Sequence, residues 1–408
     1  MSQRNPPLLP VPGFQWLGLN IGIKDDTLDF GVVASERECT AAAVFTRNNF
    51  PGAPVIVGRE FLKDGRLQAI AVVSKNANVA TGARGLEHAR SLSRWVGEQL
   101  GLPETLVLPS STGVIGVPLP IKRIEQGCQK IRENLGSDTQ ALERFARAIM
   151  TTDRWPKWFC TRVGPATLVG VAKGAGMIEP NMATMLAFLT TDAAISQKLL
   201  QQLLGDATAK TFNRITIDGD MSTNDTVLIL ANGLAGNKKL SARDLKIFQT
   251  ALNHVCLELA KMMVRDGEGI TRMVTVRVKG AKTQKDADAA ARVVGNSALV
   301  KTSWHGGDPN WGRIIDALGY SPAKVIEEKV DIAYSAPSAK KIIHSLKKGR
   351  PTKATFKTLC SAVAPAEFDL HINLNLGKSA AVLYAADLTE AYVDFNKGDI
   401  TNPASLGG

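Results

Sequence analysis

Between Lys173 and Asp192 the sequence reads Lys-Gly-Ala-Gly-Met-Ile-Glu-Pro-Asn-Met-Ala-Thr-Met-Leu-Ala-Phe-Leu-Thr-Thr-Asp. Its chemically able side chains are Lys173, Glu179, Thr184, Thr190, Thr191 and Asp192, and two glycines and a proline stand between the first and the third of them. Neither a helical nor a strand period fits the first half, so the backbone is bent before the stretch turns apolar and enters the core. From periodicity alone, a tight loop leading into a buried strand is the prevailing reading. Other dense polar and glycine-bearing runs are Gly22-Ile-Lys, Ser111-Thr-Gly-Val-Ile-Gly116, Met150-Thr-Thr-Asp153, Asp218-Gly-Asp-Met-Ser-Thr-Asn-Asp-Thr226, Asp266-Gly-Glu-Gly269 and Asp308-Pro-Asn-Trp-Gly-Arg313.

The elements that must position these runs alternate between helix and strand patterns. Leu86, Ala89, Leu92, Val96 and Leu100 recur at helical spacing. So do Ile121, Ile124, Cys128, Ile131 and Leu135, before a stop at Gly136. Ser137 is placed to cap a helix bearing Leu142, Phe145 and Ile149, and Ser196 one bearing Leu199, Leu200, Leu203 and Leu204. Ser241 and Asp244 open a long helix with capping-box spacing, and its apolar stripe runs from Leu245 to Met262, with His254 beside the stripe as a packed or solvated residue. Strand patterns cover Ala166 to Val171, Thr226 to Ala231, the alternation of Val274, Val276 and Val278, and that of Leu370, Ile372, Leu374 and Leu376. A mixed α/β architecture follows, with entry into a C-terminal unit near Val274.

The chain has 408 residues, which suggests two or three units or one large one with an appendage. No apolar run approaches the roughly 18 residues needed to span a bilayer, and the N-terminus lacks the pattern of a secretory signal, so the expectation is a cytoplasmic protein without a membrane partner. Five scattered cysteines with no Cys-x-x-Cys pair, and no His at metal-ligand spacing, read as reduced, mostly buried thiols and no metal site. The net charge of +11 raises the question of an anionic partner. Its one dense stretch, Lys340 to Lys357, lacks arrayed aromatics for stacking bases, so it reads as a solvated basic face and no nucleic-acid partner is expected.

Gly174-Ala-Gly-Met-Ile-Glu-Pro-Asn-Met-Ala-Thr-Met-Leu closely resembles the self-processing segment of the ornithine acetyltransferases, also called glutamate N-acetyltransferases. The six runs quoted above are similar to further segments of that family and come in the same order, so the resemblance covers about Gly22 to Thr401. It implies a layered αββα-type sandwich of the self-processing aminopeptidase and ornithine acetyltransferase kind, with a smaller C-terminal α/β unit from about 274 to 408. It implies that the chain cuts itself between Ala183 and Thr184, giving an α chain of residues 1–183 and a β chain of residues 184–408, two of each forming a heterotetramer.

The chemistry implied by the resemblance is acetyl transfer from N2-acetylornithine to glutamate in arginine biosynthesis, with Thr184 as nucleophile. A threonine hydroxyl is a weak nucleophile, but the α-amine freed by the cut has a reference pKa of about 7.7–8.0 and can act as its base. Thr112 and Gly113 match the family's oxyanion-hole pair, a hydroxyl and a backbone N–H; a plain turn between Pro109 and Val114 is the alternative for that segment. Thr151, Lys173, Thr184, Glu268, Asn396 and Thr401 match substrate-binding positions, with Lys173 suited to a carboxylate and Glu268 to an ornithine ammonium or a proton relay. Asp153, Asn224, Asp225, Asp308 and Arg313 read as structural, Asp308-Pro309 having the form of a helix cap followed by proline. No cofactor is expected; acetyl-CoA is a further donor for some members of the family. The alternatives are a self-processing amidase or aminopeptidase-type hydrolase, in which water replaces glutamate, and a non-catalytic protein holding an anion on the basic 340–357 stretch. Two departures bear on the pocket: Val73-Ser-Lys-Asn-Ala-Asn78 replaces a usual glycine by Lys75, and the chain continues past Thr401 to Gly408.

Overall fold

The computed structural model describes residues 5–179, 185–236 and 241–397. The chain divides into two compact units, Ser2–Asn213 with Asp220–Met263, and Arg214–Gly219 with Val264–Lys397. The second takes up the chain at Val264, inside the long Ala242–Arg265 helix and ahead of the strand near Val274.

In the larger unit the strands run, from one edge, Val107–Val114, Arg66–Asn76, Phe30–Phe45, Thr226–Ala231, Leu186–Thr191, Ala166–Lys173 and Lys157–Val163, with Phe14–Leu19 pairing along part of Phe30–Phe45. Arg66–Asn76 is parallel to Val107–Val114, and Leu186–Thr191 is parallel to Thr226–Ala231; the other pairs are antiparallel. Helices layer both faces. The Thr139–Ala148 helix buries Leu142 and Phe145 among Val33, Val72, Val169 and Phe188. On the opposite side the Gly82–Leu100 helix sets Leu92 and Val96 against Val32, Ala71 and Val73. Each such side chain contributes roughly 1.5–3 kcal/mol by leaving water. Gly170 admits the Ala242–Arg265 helix closely, since a Cβ there would fall 2.7 Å from Leu259.

Local signals explain most boundaries. The long helix opens on the expected capping box: the Asp244 N–H donates to Ser241 Oγ and the Ser241 N–H to Asp244 Oδ2, both at 3.2 Å. Two signals in the larger unit are displaced. The helical period over 121–135 is split into Ile121–Cys128 and Ile131–Asn134, because the Lys130 N–H reaches back three residues to the Gly127 carbonyl and tightens the chain. Asp138, not Ser137, caps the next helix, its carboxylate accepting the Ala141 N–H at 2.7 Å.

The smaller unit is a sheet of order Arg350–Pro351, Ile343–Lys347, Asp331–Ser335, Glu367–Asn373, Met273–Ala281, Ser379–Ala386 and Ile215–Thr216. One face packs Val274, Val276, Val278, Phe368, Leu370 and Ile372 with Ala287, Ala290, Ala291 and Val294 of the Gln284–Asn296 helix. Asn310 rather than Asp308 caps the Trp311–Gly319 helix by accepting the Arg313 N–H, while Asp308 receives a bond from the Asn310 amide. The architecture is thus mixed α/β, each sheet layered with helices. Among the described residues no helix is long and apolar enough to cross a membrane. The five cysteines are unpaired, and burial pushes the Cys39 and Cys128 thiols up to about 12, where they stay protonated.

Candidate active site

Thr112 and Gly113 lie near the end of the Val107–Val114 strand, opposite Ser74 and Lys75 of its parallel neighbour. Gly113 has φ +126°, and a Cβ there would fall 2.1 Å from the Lys75 carbonyl oxygen, so the backbone admits only glycine. Lys75 itself has φ +91°, a conformation that L side chains rarely adopt. The departure at Lys75 therefore falls on a position whose backbone calls for glycine. Lys173 ends the Ala166–Lys173 strand, is 4% exposed, and donates from Nζ to Thr112 Oγ1 at 3.1 Å. That bond uses one lone pair of the hydroxyl and leaves its proton available for another acceptor.

Asp153 ties the neighbouring segments together. Its Oδ1 accepts from Lys157 Nζ at 2.6 Å and from the Gly174 N–H at 2.7 Å, and its Oδ2 accepts the Thr151 N–H at 3.0 Å. Both side chains of the Asp153–Lys157 pair are fully buried. Burial alone would raise the Asp153 carboxyl, but Lys157, Lys173 and the Gly174 N–H together hold it below the usual carboxylate range. Two predicted substrate residues, Thr151 and Lys173, thus sit next to groups fixed by one carboxylate. Asp153, read from the sequence as structural, is the tie that holds both segments in place.

Lys24 lies within electrostatic reach of the same groups. Its loop is folded around Asp29, which accepts the N–H groups of Ile21, Ile23 and Lys24 at 2.7–2.8 Å. The Lys24 ammonium donates to the carbonyls of Leu28 at 3.0 Å and Met150 at 2.6 Å. Burial lowers its pKa to about 8; the Lys173 and Lys75 charges push the same way, against Asp29 and Asp153. Lys24, Lys75 and Lys173 therefore form one electropositive region beside Thr112, suited to a carboxylate. Asn224 braces it from behind, its amide donating to the carbonyls of Ala77 at 2.6 Å and Ser111 at 2.8 Å.

Glu268 and Asn396 meet in the smaller unit, where Asn396 Nδ2 donates to Glu268 Oε2 at 3.1 Å. The Gly269 carbonyl accepts from the Thr389 hydroxyl at 2.7 Å, fastening the turn after Glu268 to the start of the Glu390–Phe395 helix that leads to Asn396. Ala183, Thr184 and Thr401 lie outside the described residues. Among the described residues no group of three or more His, Cys, Asp or Glu side chains could hold a metal ion.

A model of the ArgJ family matches residues 15–399. The chain belongs to the ArgJ family. It is 43% identical over 394 residues to the arginine biosynthesis bifunctional protein ArgJ of Geobacter sulfurreducens, covering 95% of this chain and 98% of that one. The mitochondrial ArgJ of Schizosaccharomyces japonicus is 39% identical over 400 residues, with 94% and 92% covered. Among solved structures, an ArgJ crystal structure from Bacillus halodurans is 42% identical, covers 52% of this chain and 99% of its own, and superposes with a TM-score of 0.49.

Proposed function

We propose that this ArgJ-family chain transfers acetyl from N2-acetylornithine to glutamate through an ester on Thr184, after cutting itself between Ala183 and Thr184. The observation that carries the reading is the Lys173–Thr112 bond, which leaves the Thr112 hydroxyl proton for an oxyanion beside a Gly113 backbone that only glycine adopts. Thr184 Oγ adds to the acetamide carbonyl while the freed α-amine takes the hydroxyl proton. The tetrahedral oxyanion is held by the Thr112 hydroxyl and the Gly113 N–H, each such donor lowering the barrier by roughly 2.7–4 kcal/mol. The amine returns the proton to the departing ornithine nitrogen, leaving the acetyl ester. Glutamate's amino group then attacks the ester carbonyl and gives a proton to the α-amine, the same donors hold the second oxyanion, and its collapse breaks the ester C–Oγ bond as the α-amine returns the proton to Thr184 Oγ. One amide is exchanged for another, so no external energy source is needed.

The region of Lys24, Lys75 and Lys173 supports binding of the carboxylates that donor and acceptor both carry. Thr151, Glu268, Asn396 and Thr401 complete the proposed substrate contacts, and two α with two β chains the proposed assembly. Acetyl-CoA is a further donor to be assayed. The test is acetylglutamate formation from N2-acetylornithine and glutamate by the wild type and by Thr184→Ala. The reading predicts turnover in the first and none in the second. Acetate release at the same rate with and without glutamate would instead make the protein a hydrolase.

A further inference from the structure

Asp225 directly precedes the Thr226–Ala231 strand, whose parallel partner Leu186–Thr191 starts two residues after Thr184. Its Oδ1 accepts the Met185 N–H at 2.6 Å, and the Thr226 N–H donates to the Met185 carbonyl at 3.1 Å. Residue 185 is thus held from both sides of its backbone. Asp225 is fully buried, and its Oδ2 meets no hydrogen-bond partner among the described residues. The nearby Thr46 hydroxyl gives its proton to the Ser222 carbonyl at 2.7 Å, so it is not a donor to Asp225.

We propose that Asp225 is a positioning residue for the cut at Thr184: it fixes the peptide that follows the nucleophile through the Met185 N–H and presents a hydrogen-bond donor from its second oxygen. The inference rests on the self-cleavage reading. An ionised carboxylate would leave Oδ2 as a buried, unsatisfied anion, which is costly; a neutral acid removes that charge and turns Oδ2 into an O–H donor. Burial holds the carboxyl well above the usual range, against the opposing pull of the Met185 N–H and of Lys173. The neutral acid can accept from Met185 at Oδ1 and donate from Oδ2 at once. An asparagine has the same shape and the same pair of functions but does not titrate.

The experiment follows division of the full chain by intact mass after cell-free synthesis and dilution into buffers from about pH 6 to about pH 10. Wild type is expected to cut more slowly once rising pH takes the proton from Asp225, whose carboxyl burial holds above its usual range. Asp225→Asn should cut within about threefold of wild type near neutrality and lose that alkaline fall, whereas Asp225→Ala should be slowed more than about tenfold. Circular dichroism checks that the alanine variant folds; if it does not, the asparagine pH profile alone decides. An alkaline fall unchanged in Asp225→Asn, or an alanine variant cutting at the wild-type rate, overturns the inference while leaving self-cleavage intact. A wild-type chain that never divides overturns the self-cleavage reading and this inference with it.

Discussion

Replacing Asp153 by Asn removes a charge from a pair whose two side chains have no solvent exposure. Asparagine keeps the volume and one acceptor oxygen, but that oxygen cannot serve Lys157, Gly174 and Thr151 as two carboxylate oxygens do. Breaking a buried ion pair from one side costs about 3–5 kcal/mol, because the surviving charge stays buried. At roughly 2–4 °C per kcal/mol for a unit of about 250 residues, the midpoint of thermal unfolding of the larger unit should fall by about 6–20 °C. The sign with pH follows from the direction of the shift. A carboxyl held below its unfolded value of about 4 contributes fully above that value, and the contribution is lost only as pH falls through the lower folded one. The difference between wild type and variant should therefore be flat across neutral pH and shrink only in acid. Because Thr151 and Gly174 hang on the same carboxylate, KM for both substrates should rise as well. The paired variant Asp153→Asn with Lys157→Met should recover most of the stability. Calorimetry showing a midpoint within about 2 °C of wild type for Asp153→Asn, with KM unchanged, would refute the hub role.

Other perturbations separate the remaining contributions. Lys24 is charged below about pH 8 and neutral above, so KM for glutamate should climb as pH passes that value, and Lys24→Met should abolish the climb; an identical climb in the variant would assign it elsewhere. Thr112→Val keeps the shape and removes the hydroxyl, which should lower kcat by about 10²–10³ with a smaller change in KM; steady-state kinetics with kcat intact would remove Thr112 from the oxyanion site. Lys75→Gly relieves a non-glycine φ of +91° and should raise stability by about 1 kcal/mol in urea unfolding, at the expense of carboxylate affinity; a lower stability would mean that the lysine side chain outweighs the strain.

What the sequence disclosed follows from how local each signal is. The Ala166–Lys173, Thr226–Ala231 and Met273–Ala281 strands are apolar or alternate cleanly, and each was legible to within a few residues. The sixteen-residue Phe30–Phe45 strand was not, because Ser35-Glu36-Arg37-Glu38 interrupts its apolar pattern where the register with Arg66–Asn76 shifts, between Ala34 and Cys39. The site residues matched by family motif, Thr112, Gly113, Thr151 and Lys173, do gather in one unit, yet the groups that fix them do not announce themselves. Asp153 and Lys157 are four apart, like an ordinary surface pair, and only the fold removes them from water. Lys24 is separated by 126 residues from the Met150 carbonyl it binds, and such a contact leaves no periodic trace. Lys75, with its positive φ, likewise faces Gly113 across the sheet, a pairing that leaves no periodic trace.

The central claim is tested most directly by the intact mass of the purified protein, with N-terminal sequencing of any fragment. The account predicts two chains, one ending at Ala183 and one beginning at Thr184. A single chain of 408 residues persisting after prolonged incubation would contradict it, since Thr184 would never gain the free amine on which the proposed transfer depends.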